Sequence, residues 1–177
     1  MALIVDPVLP LAERLLACLC ERLIDTVAGP ACVCCLYHGT VVPMDYCDSE
    51  GPEGNGQAWV RVNRIYPAAA RFPTQSFELT PCKIPSWGVE LVMGVFRCVS
   101  TLDDNGHPPS CDQITADTTR LLSDAAAMRL AAVCCFPEGA DTVAIVGEYS
   151  PLGPQGGCAG GQLSITVQFC ECCPPDE

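Results

Sequence analysis

The chain has 177 residues, 49% of them hydrophobic and 17% charged, which sets aside disordered and fibrous classes and suits one domain with a real core. Nine basic residues face 21 acidic ones for a net charge of −12, and the cations are scattered singly. Binding to phosphate backbones needs clustered Lys and Arg that release counterions, so tight nucleic-acid binding and attachment to an anionic membrane are both disfavoured.

The leading stretch MALIVDPVLPLAERLL has no basic start and carries Asp6 and two early prolines, unlike a targeting segment. No apolar run reaches the roughly 18 residues of a membrane span. The expectation is a protein made and folded in a cytoplasm. Asp6-Pro7 reads as a helix start, and Leu11, Leu15, Leu19, Leu23 and Val27 then recur every fourth residue until Gly29-Pro30. An amphipathic helix follows from that spacing.

Residues 31–42, with Val33, Leu36, Tyr37, Val41 and Val42, read as a short strand, and 48–57 as a solvated loop without calcium-loop spacing. In the next strand, 58–67, alternation puts Val60, Val62, Arg64 and Tyr66 on one face and Trp59, Arg61, Asn63 and Ile65 on the other. The mixed second face suits a polar contact such as another subunit, which makes Trp59, Arg61 and Asn63 candidate interface residues. Residues 68–86 read as an irregular excursion. The 87–99 run is apolar on both sides, as in a central strand covered on both faces, with Gly88 and Gly94 marking a bend or bulge.

Asp103-Asp104-Asn105-Gly106 reads as a turn, and Ser110 with Gln113 as a capping box. The second helix carries an apolar stripe of Ile114, Leu121, Leu122, Ala125, Met128 and Ala132 and ends at Pro137. Residues 142–149 are β-prone, and Gln162–Phe169 alternates strictly between Leu163, Ile165, Val167, Phe169 and the polar set Gln162, Ser164, Thr166, Gln168. Between these two strands, 151–161 is so rich in Gly and Pro that it reads as an irregular loop. Residues 171–177 form a polar tail. The order is α-β-β-β-α-β-β, a single α+β domain over 1–177 with one mixed, mainly antiparallel sheet and two helices packed on it.

Fifteen cysteines stand in C-x-C, C-x-C-C and C-C clusters or alone, not in the paired C-x₂₋₄-C knuckles of structural zinc. With no leader expected and an odd count, they read mainly as thiols and small buried hydrophobes, with late disulfides the lesser alternative and a metal the least. His38 and His107 have no nucleophile motif beside them, and G-x-S-x-G is absent. The loop GPQGGCAGG has no Lys-Ser/Thr ending and runs into a strand, so it lacks the parts of a phosphate cradle. No catalytic residue, cofactor or metal ligand is assigned, and the chain is read as not an enzyme.

Several segments, QAWVRVNRIYP, WGVELVMGVFRC, the alanine-rich helix ending MRLAAVCC, and above all GEYSPLGPQGGCAGGQLSITV, resemble tail-terminator proteins of long-tailed, siphovirus-type phages of actinobacteria. The resemblance implies a structural virion protein: a ring, usually of six subunits, that caps the tail tube, ends its polymerisation and offers the head-to-tail joining surface. Its partners would be itself, the tail tube protein and a head-completion or stopper protein, with genomic DNA passing through without tight binding. It would be assembled in the bacterial host cytoplasm and reside in the virion neck. The alternative is another neck component, such as the stopper itself, and then a cytosolic enzyme. Uncharged, glycine-rich backbone can press closely on a neighbour, so Tyr149, Pro151, Gly153, Pro154, Gly156, Gly157, Gly160 and Gly161 join the expected assembly surface. Valine at Gly157 or Gly160 is expected to leave the monomer folded.

Overall fold

A computed structural model describes residues 6–47, 56–68, 71–76, 86–136 and 143–170. Its elements run α1 (Val8–Leu23), β1 (Val33–Tyr37), β2 (Gln57–Pro67), β3 (Ser86–Cys98), α2 (Cys111–Cys134), β4 (Ala144–Gln155) and β5 (Cys158–Cys170). The expected α+β class and element order hold. The five strands form one mixed sheet in the order β1-β2-β3-β5-β4, in which β1 runs parallel to β2 and every other pair is antiparallel.

Both helices lie on one face. The Asp6 carboxylate accepts the Val8 backbone N–H at 2.8 Å and starts α1. Leu15, Leu19 and Leu23 are fully buried against Val60, Leu91, Met93 and the C-terminal half of α2. The helix stops at Leu23, a turn before the predicted stripe ends: the Thr26 hydroxyl donates to the Leu23 carbonyl at 2.9 Å, and Val27 is left 67% exposed. In α2 the capping box forms in both directions between Ser110 and Gln113. Ala125, Met128, Ala131 and Ala132 are buried, and these small side chains let the helix lie close on the sheet. The N-terminal half of its predicted stripe does not reach the core, since Ile114 and Leu122 are exposed while Asp117 and Asp124 are buried instead.

The inward turn of Asp124 has a clear cause. Arg97 on β3 donates to it from Nε at 2.7 Å and Nη2 at 3.0 Å, with both side chains 2% exposed. The same guanidinium donates to the carbonyls of Gly29 at 2.8 Å and Pro30 at 3.2 Å. One cation thereby fixes β3, α2 and the α1–β1 connection to each other.

β3 is the central strand its composition predicts, with Val89, Leu91, Met93 and Val95 toward the helices and Val92 and Phe96 toward the other face. Gly88 and Gly94 mark neither a bend nor a bulge. A Cβ on Gly94 would stand 2.2 Å from the Trp59 ring, and one on Gly88 2.5 Å from the Tyr66 ring, so each glycine makes room for an aromatic on β2. The irregularity lies in β2, where the register shifts between Val62 and Arg64. That bulge resets the alternation: Arg64 and Tyr66 pair with Glu90 and Gly88 on the open face, and Ile65 turns to the helix side. The predicted grouping of Arg64 and Tyr66 with Val60 and Val62 is therefore corrected.

A larger correction concerns 151–161, which is not a loop. β4 runs through to Gln155 and β5 begins at Cys158, leaving only Gly156 and Gly157 as the turn. Both have positive φ, 57° and 79°, the left-handed pair that a two-residue hairpin needs to match strand twist. Pro151 and Pro154 are tolerated because β4 is an edge strand. Gly160 and Gly161 are buried, the former because a Cβ would stand 1.9 Å from the Val95 carbonyl oxygen.

At six of the fifteen cysteine positions the lesser alternative, a disulfide, applies. Disulfides join Cys18 to Cys135, Cys20 to Cys34 and Cys47 to Cys158, with Cα separations of 6.0, 6.5 and 5.7 Å. Two of them close sequence separations of 117 and 111 residues, which clustering along the chain cannot reveal. The end of the predicted second helix at Pro137, most of the 48–57 and 68–86 excursions and the 171–177 tail lie outside the described residues.

Candidate assembly surface

Among the described residues no helix or strand covers the sheet face away from the helices, and Asn63, Arg64 and Glu148 on it are exposed. Its centre is a depression of about 300 Å³ lined by Arg61, Asn63, Glu90, Glu148, Ser150, Gln162 and Ser164 among others. The bulge in β2 builds a chain of hydrogen bonds across it. Arg61 Nη1 donates to Asn63 Oδ1 at 2.8 Å, Asn63 Nδ2 donates to Glu90 Oε1 at 2.8 Å, and Arg64 Nε donates to Glu90 Oε2 at 2.7 Å. Arg64 also sits over the Tyr66 ring, 4.9 Å from its centroid. Burial, reinforced by Glu90 and opposed by Arg64, raises the Tyr66 phenol above its usual pKa, and its hydroxyl donates to the Pro73 carbonyl at 2.9 Å.

At one side this face meets the edge strand β4. Val143 just before it is 54% exposed, and Ile145 and Val146 are about 40% exposed, so the edge is apolar and, among the described residues, unpaired. At the other side runs β1, the second edge. One end of the face is covered. Val42 and Met44 pack on Trp59, Val92, Phe96 and Leu152, forming a small cluster apart from the main core.

The predicted interface residues divide accordingly. Arg61 and Asn63 lie on the open face, but Trp59 is 1% exposed beneath Val42 and Met44 and is not surface. Tyr149 is half-buried with its ring where a Gly161 side chain would be, and burial raises its pKa. Pro151, Gly153, Pro154 and Gly156 are exposed at the hairpin tip, which borders a groove of about 500 Å³ lined also by Leu102, Pro109, Ile114 and Leu121. The hairpin set and the Arg61–Asn63 set are thus two patches, not one.

Sequence reasoning missed Glu90 and Arg97. The available signal was that they are the two charges of the otherwise largely apolar β3, where burial demands a partner. His107 Nδ1 lies 3.0 Å from Asp103 Oδ2 in an exposed turn, and His38 is exposed. Hydrogen bonds, first from the His107 backbone N–H and then its ring, lower the Asp103 pKa. Among the described residues no group of three or more His, Cys, Asp or Glu side chains could hold a metal, and no helix is long and apolar enough to cross a membrane.

No known family matches the chain, and no curated protein sequence does.

Proposed function

We propose that the chain is a structural subunit of a ring that caps a phage tail tube, ends its polymerisation and presents the surface to which the head connector docks. The reading rests on the resemblance in GEYSPLGPQGGCAGGQLSITV. The single structural observation that supports it is a sheet that, among the described residues, is closed by helices on one face and open on the other, with two different unpaired edges, β1 and β4. A closed ring is built from heterologous contacts, in which one patch meets a different patch on the next copy. Two unlike edges flanking an open face supply such a pair, and the apolar β4 edge is the kind that monomers ordinarily blunt. A charge of −12 per copy suits a bore through which DNA passes without sticking.

The test is the mass of the purified chain by sedimentation and electron microscopy, for the native sequence and for Ile145→Glu. A ring that Ile145→Glu converts to a folded monomer is the expected result. A native chain that stays monomeric, together with normal tail lengths in phage lacking it, would overturn the reading. Overlong tails on loss of the protein mark a terminator, whereas normal tails with leaking heads mark a stopper.

A further inference from the structure

The segment from Gly39 to Cys47 has no regular structure, yet it lies over the otherwise open sheet face. It is held at few points. Gln57 Nε2 donates to the Pro43 carbonyl, the Gly56 N–H donates to the Tyr46 carbonyl at 3.0 Å, and Cys47 is bonded to Cys158 at the start of β5. Of its side chains Val42 is buried and Met44 partly so, while Val41 is 78% and Tyr46 51% exposed. Tyr46 is held at φ 61°, a left-handed conformation unfavourable to a side chain of that size. Beneath it the Trp59 indole N–H is buried with no hydrogen-bond partner, which also counts against the covered state.

We infer that Gly39–Cys47 is a redox-latched strap. With the Cys47–Cys158 disulfide closed it covers Trp59 and Phe96. When that bond is reduced the strap lifts and adds both rings to the face that carries Arg61, Asn63 and Glu90.

The chemistry follows from exposure. Cys158 is 1% exposed, while Cys47 is partly accessible, so an external thiolate reaches the Cys47 sulfur. A dithiol reductant forms a mixed disulfide there and expels Cys158 as a thiolate. Its second thiol then displaces Cys47, so that two electrons and two protons pass to the protein and the reductant leaves as a cyclic disulfide. The Cys158 thiol is left with the Met44 carbonyl, 3.6 Å from its sulfur, and a thiol is a weak donor. A segment with so few remaining contacts belongs to the low-stability end of the molecule and opens by itself. Trp59 and Phe96 are a tilted pair with centroids 5.7 Å apart, and the Trp59 backbone lies two residues from Arg61 on the same face. Lifting the strap therefore adds aromatic area to the polar network, the composition that favours protein contacts. The inference stands whether or not the chain forms a ring.

The test is amide hydrogen exchange on the full chain, comparing the oxidised protein, the protein reduced with dithiothreitol, Cys47→Ser, and Cys20→Ser as a control that keeps the latch. In the reduced protein and Cys47→Ser, exchange of the Gly56 amide, which donates to the Tyr46 carbonyl of the strap, should rise at least about tenfold while β3 and β5 stay protected, and Cys20→Ser should match the oxidised protein. In a Trp87→Phe background, acrylamide should quench Trp59 more strongly after reduction. Protection of the Gly56 amide in Cys47→Ser within about twofold of the oxidised protein would overturn the inference. So would loss of protection throughout β3 and β5 in that variant, because the bond would then be a staple of the fold and not a latch.

Discussion

Asp124→Ala should be among the most damaging single substitutions in the molecule. It strands the guanidinium of Arg97, 2% exposed and bound to that carboxylate through two nitrogens at 2.7 and 3.0 Å, in a site closed to water. Breaking a buried pair from one side costs about 3–5 kcal/mol, because the remaining charge keeps its desolvation penalty. The Gly29 and Pro30 carbonyls still accept from Arg97, which places the loss at the low end, about 3 kcal/mol. With a urea dependence of about 2–3 kcal/mol/M, the unfolding midpoint should fall by roughly 1–1.5 M. Replacing both partners, Arg97→Met with Asp124→Leu, should cost less than Asp124→Ala alone, since it removes both charges and leaves neutral acceptors such as the Gly29 and Pro30 carbonyls without their donor. Urea unfolding followed by circular dichroism measures all three proteins, with Asp124→Asn as a milder probe should the alanine variant fold poorly. A midpoint for Asp124→Ala within about 0.3 M of the native protein would refute the reasoning, as would a double variant as unstable as the two single losses combined.

Gly94→Val should lower the melting temperature sharply, because its Cβ would overlap the Trp59 ring at 2.2 Å, and calorimetry showing no change would contradict that packing. Gly160→Val should likewise unfold the monomer, contrary to the expectation for a surface loop, since the Val95 carbonyl at 1.9 Å belongs to backbone and cannot give way. Acid sensitivity should trace in part to Asp117. Burial raises its pKa, but the Ser100 N–H at 2.7 Å and then Arg120 outweigh this, so the net shift is below 3.8. A depressed folded-state pKa stabilises above the unfolded value and is lost as pH falls through the folded one. Asp117→Asn should therefore be less stable at neutral pH and show a flatter loss below pH 3.8, read from denaturation midpoints across the acid range.

Elements with one buried side were legible because burial imposes a period on the side chains. Leu15, Leu19 and Leu23, the alternation of Leu163 to Phe169 and the two-sided β3 all reveal themselves in this way. The capping box of Ser110 and Gln113 was legible because its chemistry is complete within four residues. What failed depended on a neighbouring strand. Glycine in β5 signals a loop until Val95 and Tyr149 are seen to occupy the space a side chain would fill. Val62 and Arg64 look like one face until the partner register shows the bulge. Of the candidate surface, Arg61 and Asn63 were found by their polarity, whereas the burial of Trp59 could not be read because its cover arrives from 42–44, outside any regular element.

The position of α1 has a consequence for biosynthesis. Leu15, Leu19 and Leu23 find their places against β2, β3 and the far end of α2, and Cys18 finds its partner only at Cys135. At about 5–20 residues per second, the ribosome needs roughly 6–23 s to go from Leu23 to Phe136. Until that interval ends α1 carries an apolar stripe whose set of partners is incomplete. Cys20 can meet Cys34 after only 14 residues, so the two thiols of one helix turn become pairable at very different times. Slow synthesis and early oxidation would both extend the period in which this helix can associate with the wrong chain.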